Sequence, residues 1–275
     1  MLGTLFLILV LVAILLFVLA AVRKRARAVR LKSAPELQPD ALVELSVTTA
    51  ASGSGDLPNA KDIAINCALE TAQVQSYSTE VLLRDPTIID LESKGYITVD
   101  WKAEYVRPGR YHALQSTWST LGYQYDEWVA IGPELHENRG EWKRMPENLR
   151  ADWNDAFRAD KFVTIMRDAQ PKSAHIYRYR GVYYYLLNYE VPSLTGFGPF
   201  AQYVKGGPFQ VQMWVHRSTG LLARVDVIGR PAEQPAGSPE PSAYPDFEQV
   251  FWAYNEPIEI APPAPPPQIK IEDPT

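Results

Sequence analysis

The stretch Ile97–Tyr105 reads ITVDWKAEY and decides the fold class of this 275-residue chain. Apolar and polar side chains alternate along it, with Trp101 in the apolar set and Asp100 in the polar set. Successive side chains of a strand point to opposite faces of a sheet, so the alternation predicts a half-buried antiparallel strand. The dipeptide Pro108-Gly109 predicts the turn to the next strand.

Further strand patterns lie on both sides of this stretch and are grouped around two predicted helices. The first helix is predicted over Asn59–Val74, with Asn59 as its N-cap and Cys67 in its apolar face, as a buried thiol rather than a nucleophile. The second is predicted as one helix over Pro146–Ala169, where apolar residues recur at spacings of three and four. The other strands are predicted at Tyr77–Arg84, Arg110–Trp118, Tyr123–Ile131, Ala174–Arg180, Val182–Val191, Phe209–His216, Leu221–Ile228 and Glu248–Ala253. This order indicates an α+β domain with an antiparallel sheet.

An uncharged apolar run, Leu2–Val22, opens the chain. At about 1.5 Å per residue it is long enough to cross the roughly 30 Å hydrocarbon core of a bilayer. It lacks the basic start and the short apolar core of a signal peptide, so an uncleaved single-pass anchor is predicted, with cleavage near Ala20 and Ala21 as the alternative. The basic residues directly behind it are Arg23, Lys24, Arg25, Arg27, Arg30 and Lys32. The positive-inside rule places this membrane neck, and the domain behind it, in the cytoplasm.

The charge and composition restrict the partners and the chemistry. Residues 1–32 hold six of the 27 basic residues and none of the 32 acidic ones, so the rest of the chain is acidic. Membrane lipid is a predicted partner of the anchor, and the basic neck, although favourable beside anionic lipids, is interpreted as a stop-transfer flank rather than a specific lipid-binding site. Nucleic acid is not a predicted partner. A single cysteine excludes a disulfide framework. The four histidines, His112, His136, His175 and His216, are far apart in the sequence. No catalytic residue, metal site or cofactor is predicted, and the protein is not expected to be an enzyme.

Segments rich in Pro, Gly and Ser border the predicted domain. Residues 23–58 are predicted as a basic neck and flexible linker with a short extended piece at Ala41–Val47. The α+β domain is predicted over residues 59–261. Residues 262–275 are predicted as a Pro-rich tail, beginning with the polyproline II candidate Pro262–Pro267.

Three stretches resemble the bacterial lipoprotein-carrier superfamily, the LolA-like and LppX/LprG-like proteins. They are the first helix leading into Gln75–Glu80, the hairpin Met213–Val225 with its Thr-Gly turn, and the terminal segment Trp252–Pro263. The resemblance implies a curved antiparallel β half-barrel behind the transmembrane helix, with two helices packed on its concave side. It also implies a cavity that holds an acyl chain or another lipid-like ligand. Carriers of this kind work outside the cytoplasm, so the side of the membrane on which residues 33–275 lie stays open.

The resemblance makes aromatic residues candidates for lining that cavity. These candidates are Trp101, Trp118, Trp128, Tyr184, Trp214 and Trp252. The alternative is that the rings simply fill the core between sheet and helices. The loop Ser193–Pro208 is predicted as a lid over the cavity or as a contact with membrane or partner, with an ordinary connection as the alternative. Its candidate residues are Gly196, Phe197, Gly198, Phe200, Tyr203, Gly206 and Gly207.

Two functions follow from this reading. The first is a membrane-anchored, non-enzymatic module that binds a lipid or other hydrophobic ligand in a half-barrel cavity. The alternative is an accessory or structural subunit of a multi-subunit membrane complex, whose partners are the other subunits and which has no ligand of its own. An open cavity would favour the first, and a core filled by Trp and Tyr rings would favour the second.

Overall fold

The computed structural model describes residues 45–47, 59–89, 96–119, 122–147, 153, 156–179, 181–195, 197–204, 206–229 and 245–263. The predicted anchor, the neck residues Arg23, Lys24, Arg25, Arg27 and Arg30, and most of the Pro-rich tail lie outside these residues. None of the helices in the described part of the chain is both long enough and apolar enough to cross a membrane.

Strands dominate the described residues. They are β1 (Leu45–Val47), β2 (Ser76–Ile89), β3 (Tyr96–Val106), β4 (Arg110–Ser119), β5 (Gly122–Ile131), β6 (Glu134–Asn138), β7 (Trp142–Arg144), β8 (Ser173–Tyr179), β9 (Val182–Val191), β10 (Phe209–His216), β11 (Leu222–Gly229) and β12 (Phe247–Trp252). The helices are α1 (Ala60–Gln73), α2 (Val163–Asp168) and two short 3₁₀ helices, Ala159–Phe162 and Gly198–Tyr203.

The strands form one antiparallel sheet in the order β1-β8-β9-β10-β11-β12-β2-β3-β4-β5-β6-β7. Among the described residues β1 and β7 are the two ends of this order, so the sheet is open, consistent with a half-barrel. Strand β12 lies beside β2 with Phe251 opposite Thr79, which joins the two halves of the chain in the middle of the sheet. The predicted antiparallel α+β architecture is thus confirmed in its sheet.

The two faces of the sheet differ in what covers them. In β10, Val211, Met213 and Val215 are buried in the same core as Cys67 of α1. Residues between them, such as Trp214, point to the other side, because side chains alternate along a strand. We call these the helix-covered face and the outer face. Helix α2 and the 3₁₀ helix before it lie on the helix-covered face too, since Met166 and Phe162 belong to the same core.

The first helix matches its prediction. It begins at Ala60, and the Asn59 side chain accepts a hydrogen bond from the backbone N–H of Lys61 at 3.0 Å, as an N-cap does. Cys67 is fully buried, and burial raises the pKa of its thiol to about 12. The thiol therefore stays protonated and packs as a small apolar side chain.

The second helix does not run from Pro146 to Ala169, and that prediction is wrong. Ala156 and Phe157 lie in a turn, and Arg158 is extended, with φ −68° and ψ 124°. A 3₁₀ helix and the short α2 follow. The buried hydroxyl of Tyr77 bonds to the backbone on both sides of Arg158, which fixes the break. Apolar spacing along the sequence does not reveal a bond that comes from a distant strand.

Two strands were not predicted, and one ends earlier than predicted. Glu134–Asn138 and Trp142–Arg144 are short, and Leu135 is the one buried residue in the two together. Their patterns therefore lack a clear apolar alternation. Strand β12 ends at Trp252, since Ala253 takes a left-handed conformation with φ 54°.

Candidate functional site

Two tryptophans from the sheet form the floor of the candidate site on the helix-covered face. Trp101 of β3 and Trp128 of β5 are 3% and 4% exposed, and their ring centres lie 5.5 Å apart. Strand β4 runs between them and places Ala113 opposite both Ala103 and Trp128. The small alanine side chains leave room for the two indoles to meet across the intervening strand.

Three rings from outside the sheet cover this floor. Trp153 stacks on Trp128 with ring centres 5.0 Å apart and lies at the same distance from Trp101. Phe157 and Phe200 lie 5.8 and 6.1 Å from Trp101. Trp153 and Phe157 come from residues 153 and 156–162, which we call the covering segment, and Phe200 comes from the 3₁₀ helix of the loop Ser193–Pro208. We call these five residues the aromatic cluster.

Two tyrosine hydroxyls hold the covering segment against the sheet. The Tyr77 hydroxyl donates to the Phe157 carbonyl at 3.0 Å and accepts from the Ala159 N–H at 2.8 Å. The Tyr111 hydroxyl donates to the Trp153 carbonyl at 3.1 Å. Burial raises the pKa of Tyr77 and of Tyr111 far above the ordinary value, so both hydroxyls remain protonated donors.

The aromatic cluster contains a buried polar atom that has no hydrogen-bond partner among the described residues. The Trp128 indole N–H is buried and makes no hydrogen bond to any described residue. Leaving such a donor unsatisfied costs about 1–3 kcal/mol, and native structures contain few of them. An acceptor oxygen delivered by a ligand would satisfy it.

Charged residues flank the cluster at the covering segment. The Lys161 ammonium lies 5.0 to 6.0 Å from the ring centres of Phe162, Phe200 and Phe247 and donates to the Ala156 carbonyl. Such cation–π contacts place a positive charge at the edge of an apolar site. Nearby, Asp160 lies 2.6 Å from Arg158. Although burial opposes ionisation, the Arg158 guanidinium lowers the pKa of the Asp160 carboxyl.

The structure brings together only two of the six predicted cavity residues. Trp101 and Trp128 are in the aromatic cluster, whereas Tyr184, Trp214 and Trp252 belong to the alternate positions of their strands and lie on the outer face. The Trp214 indole N–H there donates to Asp226 at 3.1 Å. Trp118 pairs with Tyr123 in the register of β4 and β5, and its side chain lies outside the described residues.

The predicted lid loop is packed inward. Phe197 is 2% exposed and lies 5.0 Å from Phe162, and Phe200 is fully buried. These two rings are therefore not available on the surface of the protein for contact with a membrane. Gly198, Gly206 and Gly207 have φ values of 71°, 95° and 143°, which other residues rarely adopt. Gly196 and the side chain of Tyr203 lie outside the described residues.

The sequence reading missed Trp153 and Phe157 as parts of the site. Both lie among the apolar residues that recur at spacings of three and four in Pro146–Ala169, a pattern that predicts helix packing, and they complete the cluster on Trp101. Among the described residues, no group of three or more His, Cys, Asp or Glu side chains could hold a metal ion.

Comparisons with known proteins place this geometry in a known fold. No protein-family model and no curated protein sequence matches the chain. The solved structure of LprF from Mycobacterium bovis matches with a TM-score of 0.51 and 12% identity, covering 77% of this chain and 100% of LprF. The lipoprotein LppX from Mycobacterium tuberculosis matches with a TM-score of 0.47 and 10% identity, covering 74% of this chain and 98% of LppX. The described domain therefore shares the fold of LprF, in agreement with the LolA-like, LppX/LprG-like fold that the three sequence stretches predicted.

Proposed function

We propose that this protein is a membrane-anchored, non-enzymatic module that binds a lipid or other long-chain hydrophobic ligand on the helix-covered face of its sheet. The observation that carries the proposal is the aromatic cluster with its buried, unpartnered Trp128 N–H. An apolar space with a few placed polar groups is what a hydrophobic ligand requires. The fold shared with LprF is compatible with this use.

The ligand would take the place of the covering rings rather than fill an existing void. Trp101 and Trp128 are anchored in the sheet, whereas Trp153, Phe157 and Phe200 are not part of any strand. Moving the covering segment therefore breaks no pairing within the sheet. The acyl chain would lie on the two indoles, and an ester or carboxyl oxygen of the ligand would accept from the Trp128 N–H.

The energetics of this exchange restrict the ligand to long chains. An aromatic side chain buries 150–250 Å², or about 4–6 kcal/mol at 25 cal/mol per Å². Moving the covering segment uncovers its two rings, Trp153 and Phe157, and thus costs about 8–12 kcal/mol. A buried methylene returns about 0.8 kcal/mol. The chain must then bury roughly 10–15 methylenes before binding becomes favourable.

The test is native mass spectrometry of the full chain extracted gently from its own membrane. A mass of 30.9 kDa plus a lipid-sized adduct that is lost on delipidation is expected. The delipidated protein is then titrated with palmitate. Trp128→Phe should weaken palmitate binding by roughly tenfold, because the N–H donor is lost. The matched control Trp214→Phe changes an indole on the outer face and should leave binding unchanged. Absence of both adduct and palmitate binding overturns the proposal.

A second candidate function rests on the same cluster. Its rings occupy the described part of the helix-covered face, as the core of an accessory subunit without a ligand would. That alternative predicts co-purification with other membrane subunits at fixed stoichiometry and no adduct. The same mass spectra distinguish the two candidates.

The anchor and its orientation are part of the proposal. Leu2–Val22 would hold the protein in the membrane, with Arg23, Lys24 and the other bases of the neck beside anionic lipid headgroups. Reaction of a cysteine introduced at Ser52 with a membrane-impermeant maleimide in intact cells would assign the side. Labelling is expected if the domain lies outside the cytoplasm, as in lipoprotein carriers, and protection is expected if the positive-inside rule decides. Cys67 is buried and provides no competing thiol.

A further inference from the structure

A polar groove lies on the outer face, on the opposite side of the sheet from the aromatic cluster. Its volume is about 250 Å³, and it opens where β8, β9 and β10 run side by side. The side chains that define its chemistry are Lys172, Ser173, Asn188, Glu190, Gln210 and Gln212. The sheet register sets their places, with Asn188 opposite both Ser173 and Gln212. The groove is independent of the proposed lipid site.

Contacts within the protein fix part of this groove. The Lys172 ammonium lies 2.7 Å from the Glu190 carboxylate. The Asn188 amide donates to the Ser173 hydroxyl at 2.9 Å. These contacts hold four of the side chains in place before any ligand arrives, so less conformational entropy is lost on binding.

Two carboxamides in the groove remain available to a ligand. The half-buried side chains of Gln210 and Gln212 make no hydrogen bond to any described residue. Each offers two N–H donors and one carbonyl acceptor. Since they stand two residues apart on one strand, both point to the outer face. They can therefore bind neighbouring groups of one ligand.

The charge of the groove favours a neutral ligand. Its one cation, Lys172, is paired with its one anion, Glu190, so the lining carries no net charge. The Glu190 carboxylate would repel a phosphate or carboxylate ligand, and the Lys172 ammonium would repel a cation. Hydroxyl groups both donate and accept, which matches carboxamides without introducing charge.

An aromatic side chain lies next to the groove on β10. Trp214 follows Gln212 by two residues on the same face and is half-buried. Its ring lies 5.4 Å from Tyr177 and 6.4 Å from Tyr184. The hydrogen bond from its indole N–H to Asp226 fixes the orientation of the ring. The Arg224 guanidinium also lies 5.8 Å from the centre of the Trp214 ring, so these rings border the groove and do not line it.

We propose that this groove binds a neutral saccharide, with Gln210 and Gln212 bonding its hydroxyls. The volume lies below the roughly 300–1,000 Å³ of sites for drug-sized ligands, so one sugar unit fits rather than an oligosaccharide. A free sugar and the sugar headgroup of a glycolipid share this chemistry.

The test uses the full chain in a detergent without a sugar headgroup, because glycosidic detergents would compete for the groove. Glucose, mannose, galactose and N-acetylglucosamine are titrated, with saturation-transfer NMR and tryptophan fluorescence as readouts. Binding of at least one sugar is expected. The double variant Gln210→Ala, Gln212→Ala should weaken it at least tenfold. Gln212→Glu, which keeps the shape but introduces a charge and removes a donor, should weaken it as well.

The control is Gln124→Ala, which removes an exposed glutamine from β5 and should leave the affinity unchanged. Near-UV circular dichroism verifies that each variant is folded. Absence of binding by all four sugars overturns the inference, as does equal affinity of the double variant and the unaltered protein. Tighter binding of a short peptide such as trialanine would show a different ligand class and also overturn it. A sugar-bearing lipid that binds more tightly than the free sugar identifies the headgroup as the source.

Discussion

The hydroxyl of Tyr77 provides a direct test of how the covering segment is held. Replacing Tyr77 by Phe removes one oxygen and keeps the ring, which stacks on Tyr105 at 4.9 Å and lies 5.7 Å from Phe251. The lost oxygen serves two backbone groups, the Phe157 carbonyl and the Ala159 N–H, inside the core. Each buried backbone group left without its partner costs about 1–3 kcal/mol. We therefore expect Tyr77→Phe to destabilise the protein by about 2–6 kcal/mol.

The assay is urea unfolding of the full chain in detergent, followed by tryptophan fluorescence. The midpoint should fall while the slope stays constant, because the surface exposed on unfolding does not change. Tyr111→Phe is the matched control, since it removes a single hydrogen bond, to the Trp153 carbonyl. That carbonyl also accepts from the Ala156 N–H at 3.1 Å, so we expect a smaller loss of about 0.5–1.5 kcal/mol. A loss below 0.5 kcal/mol for Tyr77→Phe would refute the idea that this hydroxyl holds the segment.

The same variant connects stability with ligand binding. If a ligand displaces the covering segment, the hydrogen bonds lost in Tyr77→Phe no longer oppose its entry. A loss of 2 kcal/mol in the closed form would then tighten palmitate binding by up to about 30-fold. Weaker or unchanged affinity in a destabilised variant would mean that the segment does not move when the ligand binds.

Three further predictions concern the ligand, the pH dependence and the first helix. Saturated fatty acids should bind above a threshold of roughly 10–15 carbons, and equal affinities for octanoate and palmitate in the same titration would contradict displacement of the rings. Burial and the neighbouring Glu80 raise the pKa of Asp100 to about 7. The raised pKa means that the protonated carboxyl adds its full contribution to the free energy of unfolding below the unfolded-state pKa near 3.9. That contribution is lost as the pH rises through 7. Urea unfolding should therefore show about 1–3 kcal/mol less stability at pH 8.5 than at pH 5, and Asp100→Asn should remove that difference. Asn59→Ala should lower the free energy of unfolding by about 1 kcal/mol, because the N-cap hydrogen bond is lost. Asn66→Ala, on the exposed side of the same helix, should be neutral or stabilising by up to about 0.7 kcal/mol. Equal effects of the two substitutions would contradict the capping role of Asn59.

The strands were predictable because each carries its own pattern. In Ile97–Tyr105 the alternation of apolar and polar side chains is complete, and the strand forms over Tyr96–Val106. The break near Arg158 was not predictable in this way, since it depends on a hydroxyl from β2, about 80 residues earlier in the chain. A spacing of three and four residues is the same in one long helix and in a turn followed by a short helix.

The candidate site was predicted only in part, although the alternation of side chains along the strands contains information that would have improved the prediction. Residues Phe209–His216 read FQVQMWVH, in which Trp214 shares its alternate positions with Gln210, Gln212 and His216. That phase predicts an outward side chain, as found. Trp101, by contrast, shares its positions with Val99, Ala103 and Tyr105 and points inward. Cavity candidates chosen by residue type alone therefore include rings from both faces of the sheet.

A filled core does not by itself decide between the two candidate functions. The deciding question is whether the side chains that fill the core can move away from the sheet without breaking hydrogen bonds between strands. Trp101 and Trp128 lie on paired strands, whereas Trp153, Phe157 and Phe200 come from segments held by ring contacts, by two tyrosine hydroxyls and by the Arg107–Asp160 ion pair at 3.5 Å. The covering rings of the aromatic cluster can thus separate from the two tryptophans of the sheet. An accessory subunit has no need for this division, whereas a lipid-binding module requires it. The change in palmitate affinity caused by Tyr77→Phe consequently separates the two functions more sharply than the presence or absence of a cavity.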